Sequence, residues 1–197
     1  MHRAFFALVV LLLAPGVLAQ DSAPHKGSLL LEGSVGYASL GGTLYATLAQ
    51  DRYGVWEVTP EVKYFVTPHI ALGALIQFNR VSYDDRASTE ALTIGPTASY
   101  YFDRVGGRTL PFVSGGIAFS TMEYVFPHIG NPDIAQPTVS GSGFSGHLSG
   151  GVAYAMTNAV LLAGTVLYER FWYTLDNEAG DLSANKLGVR LGIAYSL

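Results

Sequence analysis

From Leu187 to Leu197 the chain alternates without a break between two kinds of side chain. Leu187, Val189, Leu191, Ile193, Tyr195 and Leu197 are apolar, while the interleaved Gly188, Arg190, Gly192, Ala194 and Ser196 are small or charged. A strand sends successive side chains to opposite faces, so this segment has one bulky apolar face and one thin polar face. On a water-soluble sheet the polar face usually carries Lys, Glu and Thr. Gly, Ala, Ser and a single Arg instead fit a strand whose bulky side meets lipid and whose small side lines a narrow lumen. Ending at Leu197, this strand is expected to close the structure.

The same alternation recurs upstream. A strand is expected from Ser28 to Tyr37, with Leu29, Leu31, Gly33, Val35 and Tyr37 on one face and Leu30, Glu32, Ser34 and Gly36 on the other. Trp56 to Phe65 follows, with Trp56, Val58, Val62 and Tyr64 outward and Glu57, Glu61 and Lys63 inward. Ile70 to Tyr83 places Ile70, Leu72, Ala74, Ile76 and Phe78 outward, and Gln77 and Asn79 inward. Glu90 to Phe102 gathers Leu92, Ile94, Ala98, Tyr100 and Phe102 on one face. Leu110 to Tyr124 reads best with Val113, Ile117 and Phe119 outward. Phe144 to Tyr154 has Phe144, Leu148, Val152 and Tyr154 outward, and Ser145, His147 and Ser149 inward. Ala159 to Trp172 is apolar on both faces, so its phase stays open, and so does that of 110–124. A slip of one residue exchanges the faces.

Eight strands result, and their connections alternate. Those after the second, fourth and sixth strands are short, at Val66 to His69, Asp103 to Thr109 and Ala155 to Asn158. The others are mostly longer and polar, at 41–54, Asp84 to Ser88, Val125 to Gly143 and Thr174 to Ala184. Short turns on the periplasmic side and longer loops outside mark an outer-membrane barrel with both termini in the periplasm. The expected fold is therefore all-β, an eight-stranded antiparallel up-and-down transmembrane β-barrel. Aromatic side chains favour the two membrane interfaces. Trp56, Phe78, Tyr83, Phe144, Tyr168 and Trp172 are expected in an outer belt, and Tyr64, Tyr100, Phe112, Tyr154 and Tyr195 at the periplasmic level.

The N-terminus adds an address. His2 and Arg3 precede an apolar run from Ala4 to Leu13, and Val17-Leu18-Ala19 offers a cleavage site. Residues 1–19 read as a signal peptide and 20–197 as the barrel domain. Only 13% of residues are charged, about half the share usual in a soluble domain. A formal net charge of −4 argues against nucleic acid as a partner. The absence of cysteine removes disulfides, a thiolate nucleophile and the cysteine-based zinc sites. A closed ladder of backbone hydrogen bonds would hold such a chain together instead.

With these strands in place, the chain resembles the outer-membrane β-barrel domain family, in particular the small eight-stranded barrels of the OmpX and OmpA-membrane-domain type. Arg190-x-Gly192-x-x-Tyr195-x-Leu197 is similar to the C-terminal signal read by the barrel assembly machinery, although many members end in Phe where this chain has Leu197. Tyr64-Phe65-Val66-Thr67-Pro68-His69-Ile70-Ala71-Leu72-Gly73 resembles the family's second hairpin. The resemblance implies a location in the outer membrane. It also implies contact with outer-membrane lipids and lipopolysaccharide, and a monomer.

Candidate chemistry lies inside. Glu32, Glu57, Glu61, Lys63 and Arg190 face the lumen, and an eight-stranded barrel is only wide enough for its own side chains. Buried charges need partners, so Glu32, Glu61, Lys63 and Arg190 are expected to form a charge network, with Glu32 and Arg190 adjacent after closure. A gate that exchanges its ion pairs is the competing reading of the same residues. Some barrels of this size deacylate lipid A through a His-x-Ser pair and a Glu. Here His147, Ser149 and Glu169 supply those residue types. However, Ser149 is followed by Gly150-Gly151 rather than the family's Ser-Asn-Ala, and the two side chains face inward. His25, His69 and His128 are scattered, so no metal site or cofactor is expected. Asp176, Glu178 and Asp181 fit a solvated loop, or weakly a divalent-cation contact. The resulting expectation is a non-catalytic scaffold displaying four extracellular loops for surface contact or adhesion. A narrow solute or ion pore is the first alternative, and a lipid A-modifying enzyme is the second.

Overall fold

A strand with one lipid-facing side has no water along its edges, so every N–H and C=O must find a partner on a neighbouring strand. The computed structural model, which describes residues 24–42, 53–83, 87–103, 105, 107–125, 138–175 and 181–197, meets that demand by closing on itself. β1 (Leu29–Gly41), β2 (Tyr53–Phe65), β3 (Ile70–Tyr83), β4 (Ala87–Tyr101), β5 (Thr109–Val125), β6 (Thr138–Ala155), β7 (Val160–Leu175) and β8 (Asp181–Ser196) follow one another around the barrel. All neighbours are antiparallel, and β8 returns to β1 from Leu30↔Ser196 to Gly41↔Asn185. Mutual bonds between Leu29 and Leu197, of 3.0 and 2.8 Å, finish the seam.

The alternation sets the faces as the sequence expects. On β2, Trp56 is 69% exposed while Glu57 beside it is 2% exposed. Val113, Ile117 and Phe119 point outward on β5. On β7 the outward set is Leu162, Val166, Tyr168, Arg170 and Trp172, and Leu161, Ala163, Leu167, Glu169 and Phe171 point in.

Three prolines sit within strands, where each removes a ladder donor; Pro111 lies near the start of β5, paired with Val152 of β6. Pro60 keeps its pairing with Gly33 of β1, and the β2–β3 ladder skips it; Pro96 keeps Ala74 of β3, and the β4–β5 ladder skips it. Two tight turns share one device. Thr67 Oγ1 accepts from the amides of His69 and Ile70 at 3.2 and 2.9 Å, and Thr157 Oγ1 accepts from Ala159 and Val160 at 3.2 and 3.0 Å.

Two expectations change. The strands run further toward the outer end than the alternation suggests. β6 begins at Thr138 rather than Phe144, and β8 at Asp181 rather than Leu187. In these extensions the outward positions turn polar (Ser140, Ser142, Asn185), so the lipid-facing signature disappears although the ladder continues. Phe112 does not join the periplasmic belt. It points inward with Phe65 and Tyr101, at ring distances of 5.0 Å for Phe65–Tyr101 and 5.4 Å for Tyr101–Phe112. The signal peptide over 1–19, together with Asp84, Asp85, Arg86, His128, Asp176 and Glu178, lies outside the described residues, as does the side chain of Tyr83.

Candidate functional site

The lumen is layered. Near the periplasmic turns, Leu30, Phe65, Tyr101, Leu110, Phe112 and Leu161 pack into an apolar layer. Toward the outer end, Leu40, Val55, Val81, Met122, Phe171 and Tyr173 form a second. Between them lie the charges.

The lower cluster has one cation and two carboxylates. Lys63 on β2 reaches Glu32 on β1 at 2.7 Å and Glu61 on its own strand at 3.1 Å. Thr97 of β4 donates to Glu61 at 2.7 Å. The ammonium also lies 5.8 Å from the centroid of Phe112, so the apolar layer below helps to hold it.

The upper cluster is a closed circuit. Arg190 of β8 donates to Glu57 of β2 through Nε, and to Gln77 of β3 through Nη2 at 2.6 Å. Gln77 Nε2 donates to Glu169 of β7 at 3.3 Å. Lys186 of β8 joins Glu169 at 2.5 Å and Glu57 at 2.9 Å, which completes the ring. Ser145 adds a bond to Glu169 at 2.9 Å. Above it, Lys186 lies 5.5 Å from the ring of Phe171. Gly36 makes the crossing possible. It stands opposite Glu57 on one side and Arg190 on the other, and a Cβ there would fall 2.7 Å from Glu57 Oε1 and 2.9 Å from Arg190 Cγ.

Glu32 and Arg190, expected as neighbours, do not pair: Lys63 takes Glu32, and Arg190 goes to Glu57. The register explains this, since Glu32 stands opposite Ala194 on β8, whereas Arg190 stands opposite Gly36. Two members of the upper ring escaped the sequence reading. Lys186 lies just before the expected start of the last strand, yet it shares parity with Gly188 and Arg190, which was the available signal. Glu169 sits on β7, where apolar residues on both faces hid the phase.

A polar rung separates the ring from the upper apolar layer, where Thr93, Ser120 and Tyr173 are linked by bonds of 2.9 and 2.8 Å. A cavity of about 20 Å³ lies there, lined by Leu40, Asn79, Val81 and Tyr173 among others, with room for about one water. Side chains, rather than solvent, fill the barrel at this level.

His147, Ser149 and Glu169 all face inward, and His147 stands opposite Glu169 in register. The carboxylate of Glu169 is taken by Lys186, Gln77 and Ser145, and Ser149 donates to the carbonyl of Ser114 at 3.5 Å. A catalytic base needs its carboxylate for orientation and a nucleophile that can reach substrate. Here that carboxylate is engaged by Lys186, and both His147 and Ser149 face the lumen. Of the C-terminal signal residues, Arg190 and Gly192 point into the lumen, with Gly192 against Ser34 and Glu32. Leu197 is exposed and bonded through its backbone to Leu29. No group of His, Asp and Glu able to hold a metal ion occurs among the described residues.

The model of the outer membrane protein β-barrel domain family matches residues 5–194. Sequence comparison with curated proteins finds no match. Among solved structures, neisserial surface protein A (NspA) superposes with a TM-score of 0.64 at 13% identity, covering 86% of this chain and 98% of that one. Ail, the attachment invasion locus protein of Yersinia pestis, gives 0.55 at 8% identity, with coverages of 87% and 99%. The outer membrane enzyme PagL gives 0.52 at 12% identity, with coverages of 81% and 97%. At such identities the likeness is one of fold.

Proposed function

The chain belongs to the outer membrane protein β-barrel domain family and resides in the bacterial outer membrane, and we propose that it acts there as a non-catalytic, non-conducting scaffold for surface contact. The observation that carries this reading is the sealed interior. Two apolar layers bracket the charges, and among the described residues each lumen carboxylate is held by a cation or hydroxyl of the barrel. A pore would need both layers to part, and a deacylase would need Glu169 released from Lys186. What remains for function is the outer end, and binding residues concentrate on loops carried by rigid scaffolds.

The long strands favour this role. Beyond the lipid-facing residues, β3, β4, β5 and β6 continue with Arg80, Glu90, Glu123, Ser140 and Ser142 outward, which carries the connections away from the membrane. The segments 43–52, 84–86, 126–137 and 176–180 contain Asp51, Asp84, Asp85, Asp133, Asp176 and Glu178 against Arg52 and Arg86. An acidic excess suits a cationic or neutral partner better than a polyanion. The C-terminal strand, with Arg190, Gly192, Tyr195 and Leu197, would be read by the barrel assembly machinery before closure, since closure consumes its edges.

The test is retention of cells displaying the protein on surfaces coated with collagen, fibronectin or polylysine. Wild type is compared with a variant whose segments 43–52 and 126–137 are replaced by short turns. Lower retention of the variant on at least one surface, with the barrel still folded in the outer membrane, supports the reading. Equal retention on all of them contradicts it.

A further inference from the structure

Among the described residues, two arginines point outward from the upper strands, and their surroundings differ. Arg80 has a carboxylate directly across the ladder, Glu90, at 3.6 Å. Arg170 faces Gly146 on one side and Asn185 on the other, and makes no ion pair among the described residues. Its guanidinium lies 5.6 Å from the ring of Trp172. That indole in turn crosses the space left by Gly146, with ring carbons 3.8 and 4.0 Å from where a Cβ would stand. Tyr168 donates its hydroxyl to Asn185 Oδ1 at 2.9 Å, which uses the acceptor of the amide and leaves its N–H donors.

The patch thus offers donors and a positive charge above an apolar skirt of exposed Leu148, Val166 and Leu187, which stand at or below the level of Tyr168. Its height fits a headgroup. Arg170 lies ten residues along β7 from Val160. At about 3.3 Å per residue and a tilt of about 40°, that span lifts it roughly 25 Å, the height of the apolar band. A guanidinium fork held against an indole matches the oxygens of a phosphate, and the skirt matches acyl chains. We propose that Arg170, Asn185 and Trp172 form a site for the phosphate of an outer-leaflet glycolipid, the lipid A of lipopolysaccharide. A free phosphate would use the donors and leave the skirt unused. The site depends on the outer-membrane location and is independent of the surface-contact role.

The experiment is native mass spectrometry of the refolded chain in detergent with phosphorylated lipid A, phosphate-free lipid A, or phosphorylated lipid A plus millimolar inorganic phosphate. Wild type should retain phosphorylated lipid A. Arg170→Ala should reduce retention at least ten-fold, Arg170→Lys and Asn185→Leu should each reduce it partially, and Arg80→Ala should leave it unchanged. Phosphate-free lipid A should not be retained, and inorganic phosphate should not displace the lipid. Arg170 is exposed, so these variants spare the core, and the boiling-dependent gel shift verifies that each is folded. Retention by Arg170→Ala at the wild-type level, equal retention of phosphate-free lipid A, or displacement by inorganic phosphate would each overturn the proposal.

Discussion

Replacing Lys186 with Met tests whether the upper ring holds the barrel. The ammonium is fully buried, 2.5 Å from Glu169 and 2.9 Å from Glu57. Each such contact is worth about 6 kcal/mol of Coulomb attraction at an effective dielectric of about 20, most of it offset by desolvation. Removing the cation leaves Glu57 with Arg190, but leaves Glu169 with only Ser145 and Gln77. Breaking one side of a buried pair costs about 3–5 kcal/mol, and that is the loss expected for Lys186→Met. Glu169→Gln in the same chain removes the stranded charge, so the double variant should be more stable than Lys186→Met alone, with a coupling of about 2 kcal/mol. Lowering the pH should shrink the defect of the single variant, because a protonated Glu169 needs no counter-ion. Urea unfolding in lipid vesicles, followed by fluorescence, gives the numbers. The chain has 2 tryptophans, Trp56 and Trp172, and both lie on the lipid side. A Lys186→Met variant within about 1 kcal/mol of wild type at pH 8, or strict additivity in the double variant, would refute the argument.

Gly36→Val places a branched side chain where Glu57 and Arg190 meet, and overpacking of this kind costs about 1–3 kcal/mol, read by the same urea titration. Leu191→Lys sets a charge on the lipid face and should cost about 2–4 kcal/mol, whereas Ser142→Lys, near the outer rim, should cost about 0–1; equal costs would contradict the placement in the bilayer. His147→Ala should leave the mass spectrum of lipid A from expressing cells unchanged. An acyl chain altered by wild type and restored in the variant would reopen the enzyme reading.

Much of the fold was legible because lipid on one side and a thin lumen on the other impose opposite demands on alternate residues. β3 runs from Ile70 to Tyr83 as the alternation indicates, and Glu57, Lys63, Gln77 and Asn79 face inward as expected. The pattern fails where those demands change. Above the bilayer the outer face meets water and the inner face stays apolar, so the sign of the alternation inverts and the strands read as loops. Lys186 keeps the inward polar position, but its neighbour Asn185 faces outward and is polar, which hid the start of β8 before Leu187. On β7, Leu161 and Leu167 inside resemble Leu162 and Val166 outside, and only the ladder with β6 and β8 fixes Glu169 in and Arg170 out. Which cation meets which carboxylate depends on register across the seam, and no single strand encodes it. Phe112 shows the same limit, because an aromatic near a turn serves a belt or a plug equally well.

A lumen closed by its own side chains should pass no ions, and the refolded barrel in a planar lipid bilayer puts that closure to the test. The two apolar layers and the paired charges between them predict a silent membrane, with no steady current at either polarity. Stable, stepwise ion conductance from the intact barrel would contradict it and give the charged interior the function assigned here to the loops.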